Sequence, residues 1–135
     1  RWMVAEMHSG FAALRDECPM QLLHQYEGFT TSDPVRADLD RIEKLWAYAR
    51  ERHGQKGQWL FGSYSLADVF FAPVAARIAG YALAVGTEAQ EYVAATLNDA
   101  AFREWREEGL KKSYDPIPYA LDLKTRDWPA LPLTH

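Results

Sequence analysis

Two cations and a histidine fall on one face of the first predicted helix. Arg1, His8 and Arg15 recur at intervals of seven residues, which places them on the same side of a helix. Between them on that face are the small residues Ala5 and Ala12, which leave room for a ligand. Guanidinium and imidazole groups donate hydrogen bonds to carboxylates. Either the face binds a carboxylate-bearing ligand, or it is solvated and its cations pair with neighbouring acids.

Two more side chains could do chemistry. Arg77 is a lone charge in an apolar segment, and a buried arginine needs a partner. It either pairs with a carboxylate on another helix or, with Tyr81 one turn later, borders a binding pocket. Cys18 precedes Pro19 with no histidine beside it in sequence, so we predict a small buried apolar side chain rather than a nucleophile. The four histidines lack metal-ligand spacing, so no metal site is predicted.

Composition excludes several classes of function. The 135 residues are 48% hydrophobic and carry a net charge of −4, which argues for one globular domain without a basic surface for nucleic acid. The longest apolar run, 69–85, contains Pro73 and Arg77 and is short for a membrane span. A single cysteine fits a reducing compartment. We therefore expect a cytoplasmic protein with no nucleic-acid or membrane partner.

Apolar periodicity and capping signals predict an all-α fold with five helices. The predicted helices are 1–16, 33–53, 66–85, 87–98 and a fifth that begins after Asp99. The third, apolar on all sides, should be the most buried. From Ser113 onward, four prolines predict an extended, irregular tail over 113–135.

The best-defined local motif is at the start of the third helix. Ser65 and Asp68 have the spacing of a capping box, in which each side chain accepts a hydrogen bond from the other residue's backbone amide. Tyr64 and Val69 stand at the two positions of a hydrophobic staple. This motif starts a helix and does no chemistry.

Two segments resemble glutathione transferases. The run WLFGSYSLADVFFAP (59–73) is similar to the start of the central helix in the C-terminal domain of that family. The run AEMHSGFAALR (5–15) resembles the first helix of the same domain in bacterial members. The resemblance covers residues 1–112 in the family's helix order, and the tail matches only loosely.

The resemblance implies a five-helix bundle of the glutathione-transferase C-terminal type over 1–112. It implies that His8 contacts glutathione, and that Arg77 and Tyr81 border the pocket for the electrophile. Because Arg15 lies on the same helix face as His8, we expect Arg15 to bind glutathione as well. The family's thioredoxin-like domain, which holds the residue that activates the glutathione sulfur, has no counterpart in these 135 residues. We therefore expect no catalytic residue here and no activity from this chain alone.

The resemblance also implies a reaction and a partner. The parent protein would transfer glutathione to a small apolar electrophile, or use glutathione to isomerise or reduce a substrate. Its homodimer would form where the thioredoxin-like domain of one subunit meets the predicted helices 1–16 and 33–53 of the other. We expect this chain alone to self-associate through those two helices. Two alternatives stay open: a non-catalytic interaction module with the same fold, and an unrelated helical bundle.

Overall fold

The chain is mostly helical, as predicted. In the computed structural model the described residues are 1–53, 57–112 and 121–129. They contain six α-helices and two short strands. In chain order these are α1 Trp2–Ser9, α2 Ala12–Glu17, β1 His24–Tyr26, α3 Asp33–His53, α4 Leu66–Gly80, α5 Thr87–Asn98, α6 Ala100–Leu110 and β2 Thr125–Asp127.

The first predicted helix is broken in two, which corrects the expected count of five. A Cβ on residue 10 would lie 2.6 Å from the carbonyl oxygen of Glu6, so the chain needs Gly10 there. Phe11 follows in the left-handed region with φ 59°, a conformation that L side chains rarely adopt. The new helix, α2, is then capped from α3, because the amide of Leu14 donates to Asp38 at 3.0 Å.

Helix α3 follows its prediction closely. Its first turn is capped by Ser32, one residue before the predicted cap Asp33, because the amide of Val35 donates to the Ser32 hydroxyl at 3.3 Å. One face is buried in the core, as the apolar spacing predicted. The buried residues of α3 are Val35, Leu39, Ile42, Leu45, Trp46 and Ala49.

Helix α4 lies at the centre of the core, and nine of its 15 residues are buried. It ends at Gly80 rather than at the predicted Val85. The amide of Leu83 donates to Ile78 O at 2.9 Å, and Ala82 between them is left-handed with φ 49°. This is a Schellman ending, and the sequence analysis missed it because alanine, not glycine, occupies the left-handed position.

The predicted capping box at the start of α4 is present. The amide of Ser65 donates to Asp68 at 2.8 Å. The same carboxylate accepts from the amide of Leu60 at 3.2 Å and from the hydroxyl of Tyr92 at 2.9 Å. Asp68 therefore connects the start of α4 to the preceding loop and to α5 through hydrogen bonds, whereas a simple N-cap contacts only its own helix.

The caps of α5 and α6 differ in how well they were predicted. Thr87 and Gln90 have the spacing of a capping box, but this box does not form; Gly86 is the N-cap, and its amide donates to Glu43 of α3 at 2.6 Å. The predicted cap at Asp99 is confirmed, since its carboxylate accepts from two amides in the first turn of α6. At the start of α5, the hydrogen bond from Gly86 to Glu43 of α3 takes the place of the local capping box.

Part of the predicted tail returns to the body of the protein. β2 pairs antiparallel with β1, with Tyr26 opposite Thr125 and His24 opposite Asp127. The guanidinium of Arg106 lies 5.0 Å from the ring centre of Trp128. Neither strand was predicted. Residues 113–120 and 130–135 of the tail lie outside the described residues.

Candidate functional site

Three of the four residues predicted to contact a ligand line one groove. It lies between α1 and α2 on one side and α4 on the other, with a volume of about 430 Å³. Its walls combine cationic and apolar side chains. The lining residues are Met7, His8, Arg15, Val69, Phe70, Pro73 and Arg77.

The break in the first helix determines where Arg15 lies. Its Nη2 donates to the carbonyl oxygens of Met7 and of His8, the latter at 2.7 Å. These carbonyls belong to the last turn of α1, whose acceptors have no partner within the helix. Arg15 thus holds the end of α1 in place. Its Nε and Nη1 have no partner among the described residues, so no group in that part of the chain competes with a ligand for them.

Arg77 enters the groove from α4. Its Nε donates to the carbonyl oxygen of Cys18 at 2.9 Å, and its Nη1 lies 3.4 Å from that of Pro73. Burial, and then the charge of Arg15, lower the pKa of Arg77. The ion pair weighed in the sequence analysis is not found: in the described part of the chain no carboxylate lies within 4.0 Å of Arg77.

Within the described part of the chain, the groove therefore has two guanidinium groups and no carboxylate within 4.0 Å to balance them. His8 adds an exposed imidazole at the rim, and Val69 and Phe70 add an apolar wall. Neighbouring like charges are unfavourable until an anion binds between them. The arrangement suits a small anion with an apolar part, held by charge-assisted hydrogen bonds at one end.

Tyr81, which was expected to border a pocket with Arg77, does not line this groove. Because α4 ends at Gly80, the side chain of Tyr81 turns into the core, where its ring packs 5.1 Å from that of Tyr26. Its hydroxyl donates to the carbonyl oxygen of Pro19 at 2.6 Å. Burial raises the pKa of Tyr81, so the phenol stays neutral and structural.

Cys18 is fully buried, as predicted. Burial raises the pKa of its thiol to about 12. Because the thiolate is the reactive form, this side chain is not a nucleophile at neutral pH. Its contribution to the groove is its backbone carbonyl, which orients Arg77.

The cationic residues of the groove were predicted from the sequence, but the apolar residues of its wall were not. Val69 was assigned to a capping staple and Phe70 to the core of a buried helix, and no local signal shows that this part of α4 is open. Among the described residues, no group of three His, Cys, Asp or Glu side chains could hold a metal ion. In those same residues, no helix has the length and apolarity needed to cross a bilayer.

Comparison of the chain with protein-family models, with curated proteins and with solved structures finds no match.

Proposed function

We propose that the chain is the helical domain of a glutathione transferase and that its groove holds a carboxylate of glutathione. The observation that carries the proposal is the convergence of His8, Arg15 and Arg77 on one groove where no carboxylate of the described chain neutralises them. Two of these residues lie in the segment that resembles the family's first helix. The third lies on α4, whose capping box is the family's other signature.

Glutathione fits the groove chemically. It carries two carboxylates for the cations, and its thiol could sit beside the apolar wall of Val69 and Phe70 where a small apolar electrophile would bind. The thiol reacts as thiolate and needs a group that lowers its pKa. A thioredoxin-like domain would supply that group, so these 135 residues bind and orient. Whether the parent enzyme conjugates, isomerises or reduces follows from that other domain.

The proposal includes a homodimer formed through α1 and α3. Trp2 of α1 is 53% exposed and Tyr48 of α3 is 39% exposed, and their rings meet edge to face at 5.7 Å. Arg52 lies 4.5 Å over the ring of Tyr48. Exposed aromatic side chains that lie together are typical of association surfaces.

Calorimetric titration with S-hexylglutathione tests the proposal, because this ligand has both the carboxylates and an apolar tail. We expect saturable binding that weakens as salt is added. His8→Gln is the cleanest variant, since the imidazole is exposed and has no hydrogen bond among the described residues. It should raise Kd by roughly fivefold, as expected for about 1 kcal/mol. Arg103→Gln removes an exposed charge of α6 outside the groove and should leave Kd unchanged.

An absence of saturable binding by a folded chain would contradict the proposal and favour the alternative, a non-catalytic interaction module. An equal rise in Kd for His8→Gln and Arg103→Gln would also contradict the proposal, because general surface charge rather than the groove would then explain the affinity.

A further inference from the structure

A second concave site lies beside the groove and has the opposite electrostatic character. This cleft, between α4 and α6, has a volume of about 420 Å³. Val69 and Pro73 separate it from the groove, since both residues line both sites. Its other walls are mostly aromatic and small apolar side chains, notably Tyr64, Phe102 and Trp105.

The two aromatic rings at the mouth of the cleft are exposed but held in place. Trp105 is 47% exposed and Tyr64 is 43% exposed. Trp105 packs edge to face on buried Phe102 at 5.7 Å, and Tyr64 packs in the same way on buried Trp59 at 4.8 Å. Rings fixed from behind lose little freedom when a ligand stacks on them, which favours binding.

Most polar groups of the cleft already have hydrogen-bond partners, so few of them are available to a charged ligand. The Asp99 carboxylate accepts from two amides of α6, and the Thr96 hydroxyl donates to the carbonyl oxygen of Tyr92 at 2.9 Å. The Tyr64 hydroxyl has no partner among the described residues, and burial followed by the charges of Asp99 and Asp68 raises its pKa. The lining residues include one carboxylate and no cation, so the cleft disfavours anions.

We propose that this cleft binds an uncharged, planar aromatic molecule that stacks between Tyr64 and Trp105. The volume lies within the range of about 300–1,000 Å³ that small-molecule sites occupy, and an aromatic ligand uses the ring faces that the site presents. The neutral Tyr64 hydroxyl offers one hydrogen bond to fix its orientation. This cleft does not depend on the proposed glutathione groove, because the groove is lined by cations and the cleft has none among its lining residues.

Two related fluorescent probes test the ligand class. N-phenyl-1-naphthylamine is neutral, and 1-anilinonaphthalene-8-sulfonate is nearly the same molecule with a sulfonate added. Titration of the 135-residue chain should show saturable fluorescence of the neutral probe with one site per chain. The sulfonate should compete for that site at least tenfold more weakly.

Three variants locate the site. Trp105→Ala removes one stacking face and should weaken binding of the neutral probe at least tenfold. Ala101→Trp fills the cleft from an exposed position and should abolish binding. Leu66→Ala is the control: Leu66 is an exposed apolar side chain on α4 that does not line the cleft. This substitution should change Kd less than twofold. Circular dichroism checks that each variant is folded.

Neutral-probe binding that survives both cleft variants overturns the proposal, as does a sulfonate that competes equally well. A dimer that dissociates in Trp105→Ala, with no probe binding by the parent chain, also overturns it, because the cleft would then be a contact between copies. His8→Gln should leave probe binding intact. If S-hexylglutathione does not bind but the neutral probe does, the function proposed for the groove is refuted and the proposal for the cleft stands.

Discussion

Asp68 shows how one residue can be predicted correctly and still be underestimated. It is 1% exposed, and its carboxylate accepts four hydrogen bonds, two of them from Ser65. The capping-box spacing in the sequence predicts the contact with Ser65. The contacts with Leu60 and Tyr92 come from tertiary packing, which no local pattern encodes.

Asp68→Ala should lower the free energy of unfolding by about 3 kcal/mol, because it leaves several buried donors without an acceptor. Asp99→Ala is the matched control: Asp99 caps an exposed helix end, so its loss should cost only about 1 kcal/mol. Urea denaturation of both variants measures the difference. Equal costs would mean that Asp68 is only a cap.

Cys18 should resist alkylation by iodoacetamide at pH 8 while the chain is folded. Burial raises the pKa of its thiol to about 12 in the folded chain, from 9.0 for an exposed thiol, so the folded state keeps the proton that the unfolded state loses. The contribution of Cys18 to stability is therefore complete below about pH 9 and is lost as the pH rises towards 12.

The rate of alkylation, followed by mass spectrometry in buffer and in 8 M urea (a concentration of the order used to unfold small proteins), checks this expectation. Rapid reaction of the native thiol at pH 8 would show that the residue is accessible and that its neutral, structural assignment is wrong.

At the scale of elements, helices with local signals were predicted well and their interruptions were not. The α3 pattern and the Asp99 cap are encoded within a few residues. By contrast, the break at Gly10–Phe11 depends on Asp38 of α3, and β1 depends on a strand about 100 residues later in the chain. These features arise from contacts distant in sequence, which periodicity cannot reveal.

The end of α4 gives a direct test of the backbone. Ala82 is exposed and left-handed, a conformation that costs a non-glycine residue roughly 1–2 kcal/mol. Ala82→Gly removes that cost but adds entropy to the unfolded chain, so we expect a net gain in stability of up to about 1 kcal/mol.

Ala84→Gly is the matched control, since Ala84 is also exposed but has no positive φ. It should be neutral or destabilising by a few tenths of a kcal/mol. Thermal unfolding compares the two variants, and a loss of stability in Ala82→Gly would show that α4 does not end in a Schellman motif.

At the scale of the whole molecule, the candidate site was predicted in part. The cations were found because their types and spacing are visible in the sequence. The spacing grouped His8 with Arg15, but it could not add Arg77 to them, because that depends on how α4 packs against α1. Tyr81 lies outside the groove because α4 ends at Gly80. The apolar cleft was missed entirely, since Tyr64 was assigned to a staple and an aromatic residue such as Trp105 is expected on the inner face of its helix.

Self-association should depend on the aromatic pair of α1 and α3. Trp2→Ala should shift the monomer–dimer equilibrium towards monomer by about tenfold, since an exposed aromatic anchor contributes on the order of 1–2 kcal/mol to an interface. Trp105→Ala removes a comparably exposed indole on another surface, 47% exposed against 53% for Trp2, and should leave the equilibrium unchanged. Sedimentation over a concentration series measures both, and a monomer at all concentrations would contradict the proposed dimer.

NMR mapping tests most directly whether the groove between α1, α2 and α4 binds a carboxylate of glutathione. Amide shifts of the ¹⁵N-labelled chain are followed as S-hexylglutathione is added to a concentration on the order of 10 mM, enough to detect weak binding. We expect saturable shifts centred on His8, Arg15 and Arg77, which disappear when the ligand's carboxylates are esterified. Shifts centred elsewhere, or unchanged by esterification, would contradict it.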